Sequence, residues 1–255
     1  KMALLKETVT EVKHWSDKTF TFKTTRSPGF RFNNGEFTMM GLQTEDGKKI
    51  MRAYSMASPN YVDHIEWLSI KIADGPLTSK LQNIKVGDTV VMNRKATGTL
   101  VIDYLKPGRN LYLIATGTGL APFLSIIKDI ETYNRFEKVI LTHTVQKKEE
   151  LVYREDLEWY NVQNENITNR NFIYFSTLTK DEWRNEGRIT KWISEDTLWP
   201  EVYADRFDAK QDRMMICGSQ GLNTDLMKWL DSEGAKEGST GVPGEFVVEK
   251  AFVQR

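Results

Sequence analysis

Between Leu4 and Ile102 apolar and polar residues alternate in short runs, as in Phe20-Thr21-Phe22-Lys23, Phe37-Thr38-Met39-Met40, Ile65 to Ile72 and Val90-Val91-Met92. A period of two marks strands with one buried face. The turn signals Ser27-Pro28-Gly29, Asn33-Asn34-Gly35 and Glu45-Asp46-Gly47 break these runs at the spacing of an antiparallel barrel or sandwich. After Lys106-Pro107-Gly108, which reads as a connection between domains, the pattern changes. Continuous apolar runs at Leu111 to Ala115, Lys138 to Thr142, Phe172 to Ser176 and Met214 to Cys217 alternate with helical patterns near Pro122 to Tyr133, Glu149 to Tyr160 and Leu222 to Ser232. Strands without alternation are buried on both faces, so this half reads as a parallel sheet covered by helices. The Asn-rich stretch 161–171 reads as a surface loop.

At 255 residues the chain exceeds the commonest domain size, which agrees with two domains. Its 35 basic and 35 acidic residues cancel, which argues against a nucleic-acid partner. Residues 1–103 carry 15 Lys/Arg against 11 Asp/Glu and residues 104–255 carry 20 against 24, so the halves differ in sign, +4 and −4. A single cysteine, Cys217, rules out an internal disulfide or a zinc site built on several thiolates and fits a reducing compartment. The opening K-M-A-L-L-K-E shows no long apolar run, so no signal peptide or membrane span is expected and the expected compartment is the cytoplasm.

The densest local signal is T-G-T-G-L-A-P, residues 116–122, between the apolar run Leu111 to Ala115 and Phe123-Leu124-Ser125-Ile126-Ile127. A strand, a glycine turn and a helix start expose N–H groups at a positive dipole end, a seat for an anion such as a pyrophosphate. The spacing G-x-G-x-x-P (Gly117, Gly119, Pro122) lacks the third glycine of the usual dinucleotide fingerprint, and Pro122 suits a first helical turn. Standing alone, such a loop is also an ordinary tight connection. In the first half, Arg52-Ala53-Tyr54-Ser55 follows a strand pattern in which Arg52 and Tyr54 share a face and Ser55 points the other way. Arginine offers a fork for phosphate and tyrosine a ring for stacking, while the alternative is plain strand chemistry. Gly75-Pro76-Leu77-Thr78-Ser79 reads as a second turn opening a short helix, with Thr78 and Ser79 as N–H and hydroxyl donors, or as a simple capped turn.

In this order, R-A-Y-S at 52–55, G-P-L-T-S at 75–79, T-G-T-G-L-A-P-F at 116–123 and I-C-G-S at 216–219, closed by G-E-F-V-V-E-K-A-F-V-Q-R at 244–255, the chain resembles the ferredoxin–NADP reductases, bacterial class. The ending carries an alanine where the plant enzymes end in tyrosine. The resemblance spans nearly the whole chain. It implies a six-stranded antiparallel Greek-key β-barrel that binds FAD over residues 1–103. A parallel, Rossmann-like α/β domain that binds NADP would follow over 104–255, its tail returning to the flavin.

The resemblance also implies site roles. Arg52, Ala53 and the turn Gly75, Pro76, Leu77, Thr78 and Ser79 would hold FAD, with Tyr54 stacked on the flavin and Ser55 hydrogen-bonded near N5. Trp67, Leu68, Ser69 and Ile70 would form the adjoining strand, Ala251 would cover the other flavin face and Phe252 would stack on adenine. Thr116, Gly117, Thr118, Gly119 and Pro122 would take the NADP pyrophosphate, with Cys217 and Gly218 near the nicotinamide. For Cys217 a buried structural thiol is the competing reading. Glu249 matches the acidic residue near the flavin and is a candidate for proton transfer, or else a solvated carboxylate. Lys180 and Arg188 would grip the 2′-phosphate. Where the family often has arginine this chain has Gln146, which implies a weaker grip unless Lys147 or Lys148 compensates. His143 reads as a structural strand-end histidine.

The implied activity is hydride exchange between NADP(H) and FAD, with single electrons passed to or from ferredoxin or flavodoxin by a monomer. The surplus of four positive charges in the first half suits an acidic carrier. Two rival readings keep the fold: an NADPH-dependent flavin reductase or haem-oxygenase electron donor, and a non-catalytic nucleotide-binding regulatory module.

Overall fold

The computed structural model describes residues 3–166 and 171–251. The first half is an antiparallel sheet of β1 (Leu5–His14), β2 (Thr19–Thr25), β3 (Phe37–Gln43), β4 (Lys49–Ser55), β5 (His64–Ile70) and β6 (Thr89–Met92), in the order β4-β3-β6-β1-β2-β5. Its two end strands meet, since Ala57 N donates to Glu66 O at 2.9 Å and Tyr54 Oη lies 2.9 Å from Ser69 Oγ. The sheet therefore curls into the expected barrel around Phe20, Phe22, Met40, Trp67 and Leu81. A short helix, α1 (Thr78–Leu81), lies between β5 and β6.

The second half is a parallel sheet of β7 (Asn110–Thr116), β8 (Lys138–Val145), β9 (Phe172–Leu178), β10 (Arg213–Cys217) and β11 (Phe246–Glu249), ordered β11-β10-β7-β8-β9. Helices α2 (Ala121–Ile126), α3 (Ile130–Arg135), α4 (Arg154–Asn166), α5 (Ile189–Ser194), α6 (Leu198–Glu201) and α7 (Gln220–Ser232) connect the strands. On β7, Leu111, Leu113 and Ala115 pack into one core, while Tyr112 and Ile114 pack into another with Ile193, Trp199 and Leu226. Both faces are covered, which is why the run carries no alternation. The first of these cores also contains Ala57, Leu68 and Leu100, so one continuous apolar layer joins barrel to sheet.

Three sequence expectations are corrected. The helix over 122–133 is two helices, because Asp129 adopts an extended conformation and caps α3, its carboxylate accepting from Glu131 N at 3.0 Å. The helix over 149–160 begins later, since Tyr153 sits at φ 60° between a 3-10 turn at Lys148–Glu150 and α4. The Asn-rich loop is helical through Asn166, where α4 outweighs the low helix propensity of asparagine. Positions 167–170 lie outside the described residues.

The turn Asn33-Asn34-Gly35 is a second joint between the halves. Gly35 N donates to Ser125 Oγ at 3.0 Å in a buried position, Ser125 Oγ donates to Pro122 O at 2.8 Å, and Asn34 Nδ2 donates to Asp129 Oδ2 at 3.0 Å. Ser125→Ala would leave the Gly35 amide buried without an acceptor, a loss of about 1–3 kcal/mol. Urea unfolding should show this as a lower midpoint at unchanged slope, and an unmoved midpoint would remove this joint from the account of stability.

Candidate active site

In the parallel sheet the chain runs from β7 outward to β8 and β9, then returns across β7 to β10 and β11. The reversal leaves a crevice at the carboxyl ends of β7 and β10, the place where open α/β sheets bind ligands. The T-G-T-G-L-A-P loop ends β7 at this point, and Gly218-Ser219 ends β10 beside it. Gly117 has φ 53°, a left-handed conformation that glycine adopts without a Cβ penalty. Gly119 is needed for a different reason: a Cβ there would lie 2.1 Å from the Cys217 carbonyl oxygen. Ser219 N donates to Thr116 Oγ1 at 2.9 Å, so the two loops are stitched together, and Ser219 Oγ caps α7 by accepting from Leu222 N at 3.2 Å.

Two clefts meet here. The first, of about 510 Å³, is bordered by Arg52, Ala53, Tyr54 and Ser55 at the end of β4, by Leu68, Ser69 and Ile70 of β5, by the turn Gly75 to Thr78, and by Thr118 and Ala251. The second, of about 530 Å³, is bordered by Thr116 to Gly119, Gly218 to Leu222, Gln146, Thr179 and Arg188. Ile70 and Thr118 border both, so the clefts lie side by side.

Most of the predicted residues converge on these walls, with several corrections. Tyr54 is wedged in the barrel wall, its hydroxyl paired with Ser69 Oγ and its ring edge-on to Trp67 at 6.5 Å. Burial raises its pKa, so the phenol stays neutral. Trp67 itself is fully buried, donates from Nε1 to Thr24 Oγ1 at 3.1 Å and supports Tyr54 from behind instead of bordering the cleft. Strand alternation turns Ser55 to the opposite face whereas the resemblance sets it at the flavin, and it borders the first cleft where β4 ends. Its Oγ is buried without a hydrogen-bond partner among the described residues. Ser79 does not border the cleft, and its amide donates to Gly75 O at 3.1 Å; the Thr78 hydroxyl is likewise committed, to Ile72 O at 3.2 Å. Of the two hydroxyl residues in this turn, only Thr78 borders the cleft. Pro122 lies in the first turn of α2, as expected, but is buried and borders neither cleft, and Phe252 lies outside the described residues.

Cys217 is fully buried and borders neither cleft. Burial first, and then the Glu249 carboxylate, push its thiol far up, so it is a neutral packing group. Glu249 pairs in register with Cys217 and is 5% exposed. One carboxylate oxygen accepts from Thr99 N at 3.2 Å and the other from Ala251 N at 3.0 Å, so it ties the chain's tail to the barrel. Lys180 also borders neither cleft; its amide donates to Gln146 O at 2.9 Å. The sequence reading missed Ser219 to Leu222, although the cap after I-C-G was legible, and Lys18, Glu150 and Asp225, for which no local signal exists.

A flavin fits the first cleft on three observations: its size, the wedged aromatic ring of Tyr54, and the unpartnered Ser55 hydroxyl at its border. The second has glycine-rich walls from the ends of β7 and β10, with Lys18 and Arg188 at its border beside Glu150 and Asp225, an arrangement that suits a dinucleotide.

His143, fully buried below the glycine loop, faces Gly117 O at 2.8 Å. A carbonyl only accepts, so Nε2 carries the proton. Burial lowers its pKa to about 4, against the ordinary 6.5, with the Gly117 bond a smaller opposing influence. The unfolded chain therefore binds this proton as pH falls through 6.5, while the folded chain refuses it until about 4, so this contribution to stability is present above 6.5 and is lost on acidification. The full loss is about 3 kcal/mol. His143→Asn, which keeps an N–H donor, should unfold with a flatter pH dependence than the parent between about pH 7 and 4.5, and equal slopes would contradict this.

Residues 6–100 match the oxidoreductase FAD-binding domain family and residues 113–228 the oxidoreductase NAD-binding domain family. The chain is 48% identical over 249 residues to ferredoxin–NADP reductase A of Sorangium cellulosum, covering 96% of this chain and 89% of that protein. It is 44% identical over 250 residues to the flavodoxin/ferredoxin–NADP reductase of Rhodobacter capsulatus, covering 97% and 93%. The crystal structure of a ferredoxin NADP+ reductase from Neisseria gonorrhoeae with bound FAD and NADP superposes with a TM-score of 0.91 at 28% identity, covering 99% of this chain and 100% of that one. With both halves matched and the two clefts side by side at Ile70 and Thr118, the chain belongs to the ferredoxin–NADP reductase family.

Proposed function

We propose that this chain is a FAD-dependent reductase that exchanges a hydride with NADP(H) and passes single electrons to or from ferredoxin or flavodoxin. The observation that carries this reading is the adjacency of the clefts, which sets a flavin-sized groove and the switch-point crevice side by side across Ile70 and Thr118. The reading divides the chain into a FAD-binding domain over 1–103 and an NADP-binding domain over 104–255. It includes a monomer working in the cytoplasm. Among the described residues no helix is long and apolar enough to cross a membrane.

Bound FAD supplies the conversion between two-electron hydride chemistry and one-electron transfer, which side chains alone lack. The chain's residues bind and orient. Arg52, exposed at the rim, offers cationic donors for the cofactor's pyrophosphate, together with the turn at Gly75 to Thr78. Tyr54 presents a ring held at two points, by Ser69 and Trp67. Ser55 Oγ supplies the hydrogen bond that no described residue satisfies. Ala251 closes one side of the cleft with the smallest side chain that still covers, leaving room for nicotinamide to approach. Glu249 acts through Ala251 as a positioning residue, because both of its oxygens accept hydrogen bonds from the polypeptide. On the second cleft, Thr116 to Gly119 and Gly218 orient the dinucleotide and Arg188 supplies positive charge.

The visible spectrum of purified protein tests the reading: flavin bands should be present and should bleach anaerobically with NADPH faster than with NADH. Absence of flavin bands after reconstitution with FAD would sink it. A reduction rate for ferredoxin no greater than that for free FMN would favour a flavin reductase. Tyr54→Ala or Arg52→Ala should weaken FAD affinity about tenfold, read as flavin lost on gel filtration, and full retention in both would reject this placement of the flavin.

A further inference from the structure

Lys18 sits in the β1–β2 turn of the barrel, yet its ammonium reaches the parallel sheet. Nζ lies 3.2 Å from Gln146 Oε1 and 3.7 Å from Glu150 Oε1, and all three residues border the second cleft with Arg188. The charged residues bordering that cleft are Lys18, Arg188, Glu150 and Asp225, so it is neutral with Lys18 and carries one net negative charge without it. Gln146 follows β8 and Arg188 follows β9, on the side of β7 away from β10. A dinucleotide seated with its pyrophosphate at the β7 and β10 glycines therefore runs its far end toward this group.

The turn that carries Lys18 is fixed before any ligand arrives. Ser16 Oγ accepts from Lys18 N at 3.1 Å, Lys18 O accepts from Lys71 N at 2.8 Å, and the Trp15 ring lies 5.1 Å from that of Tyr153 across the joint between the halves. The ammonium, by contrast, is held among the described residues only by a neutral amide oxygen and a single carboxylate oxygen at long range, with its side chain 55% exposed. A phosphate dianion outcompetes such partners, since charge-assisted bonds are about twice as strong as neutral ones and exposed ion pairs contribute little. Lys180, which the family resemblance implied for this role beside Arg188, does not border the cleft.

We propose that Lys18, delivered across the domain joint, is a specificity-determining residue that with Arg188 accepts the 2′-phosphate of NADP(H). It does so by neutralising Glu150 and offering its ammonium to the phosphate. This rests on the reading of the second cleft as the NADP(H) site.

Calorimetric titration of the purified full chain with 2′-phospho-AMP and with AMP tests it. The unmodified chain should prefer 2′-phospho-AMP; Lys18→Gln should weaken that ligand about tenfold while changing AMP less than about twofold, and Lys18→Arg should keep the preference. Equal weakening of both ligands in Lys18→Gln would mean a purely structural joint and would overturn the role of Lys18 alone, as would an unchanged preference. A parent chain that binds the two ligands equally would overturn the NADP(H) reading together with it.

Discussion

The seam between the ends of β7 and β10 is the constraint on which the rest of the structure depends. Gly119 lies against the Cys217 carbonyl so closely that no Cβ fits, and Ser219 donates to Thr116 across the same seam. This contact draws two backbone loops into one crevice. It also explains why the loop between them needs two glycines for separate reasons, conformation at Gly117 and contact at Gly119. The buried His143 bond to Gly117 holds the loop, and the neutral thiol of Cys217 packs in the core that also contains Leu120 and Ala121.

The crevice becomes a site for two ligands only because the barrel is locked beside it. The lock has an apolar part, the layer containing Leu68, Leu100, Leu113 and Val247, and a polar part, in which Gly35 meets Ser125 and Thr99 meets Glu249. Glu249 is central to the polar part. It lies on the outermost strand of the sheet, bonds the barrel through Thr99 and holds Ala251 at the edge of the first cleft. By the resemblance a proton-transfer candidate, or else a solvated carboxylate, Glu249 is in the structure a buried strand residue that bonds both barrel and tail.

The two-domain architecture was legible because period-two alternation and uninterrupted apolar strands report different burial, on one face or on both. The glycine loop, the R-A-Y-S strand and the I-C-G-S strand end were legible for the same kind of reason, as each is a local backbone arrangement. Helix limits were not, where one residue redirected the chain: Asp129 by capping and Tyr153 by its left-handed conformation.

Read alone, the chain settled the fold class, the order of its two halves and the segments that would line a site, since these depend on neighbours within a few positions. Which side chains reach the clefts was decided by packing between distant segments. Trp67 and Cys217 turned inward, Ser79 and Lys180 stayed off the cleft walls, and Lys18 entered from a turn 128 positions away from its partner Gln146. A hydrogen bond at such separation leaves no periodicity or motif in the sequence, because only the docking of barrel on sheet brings its two ends together.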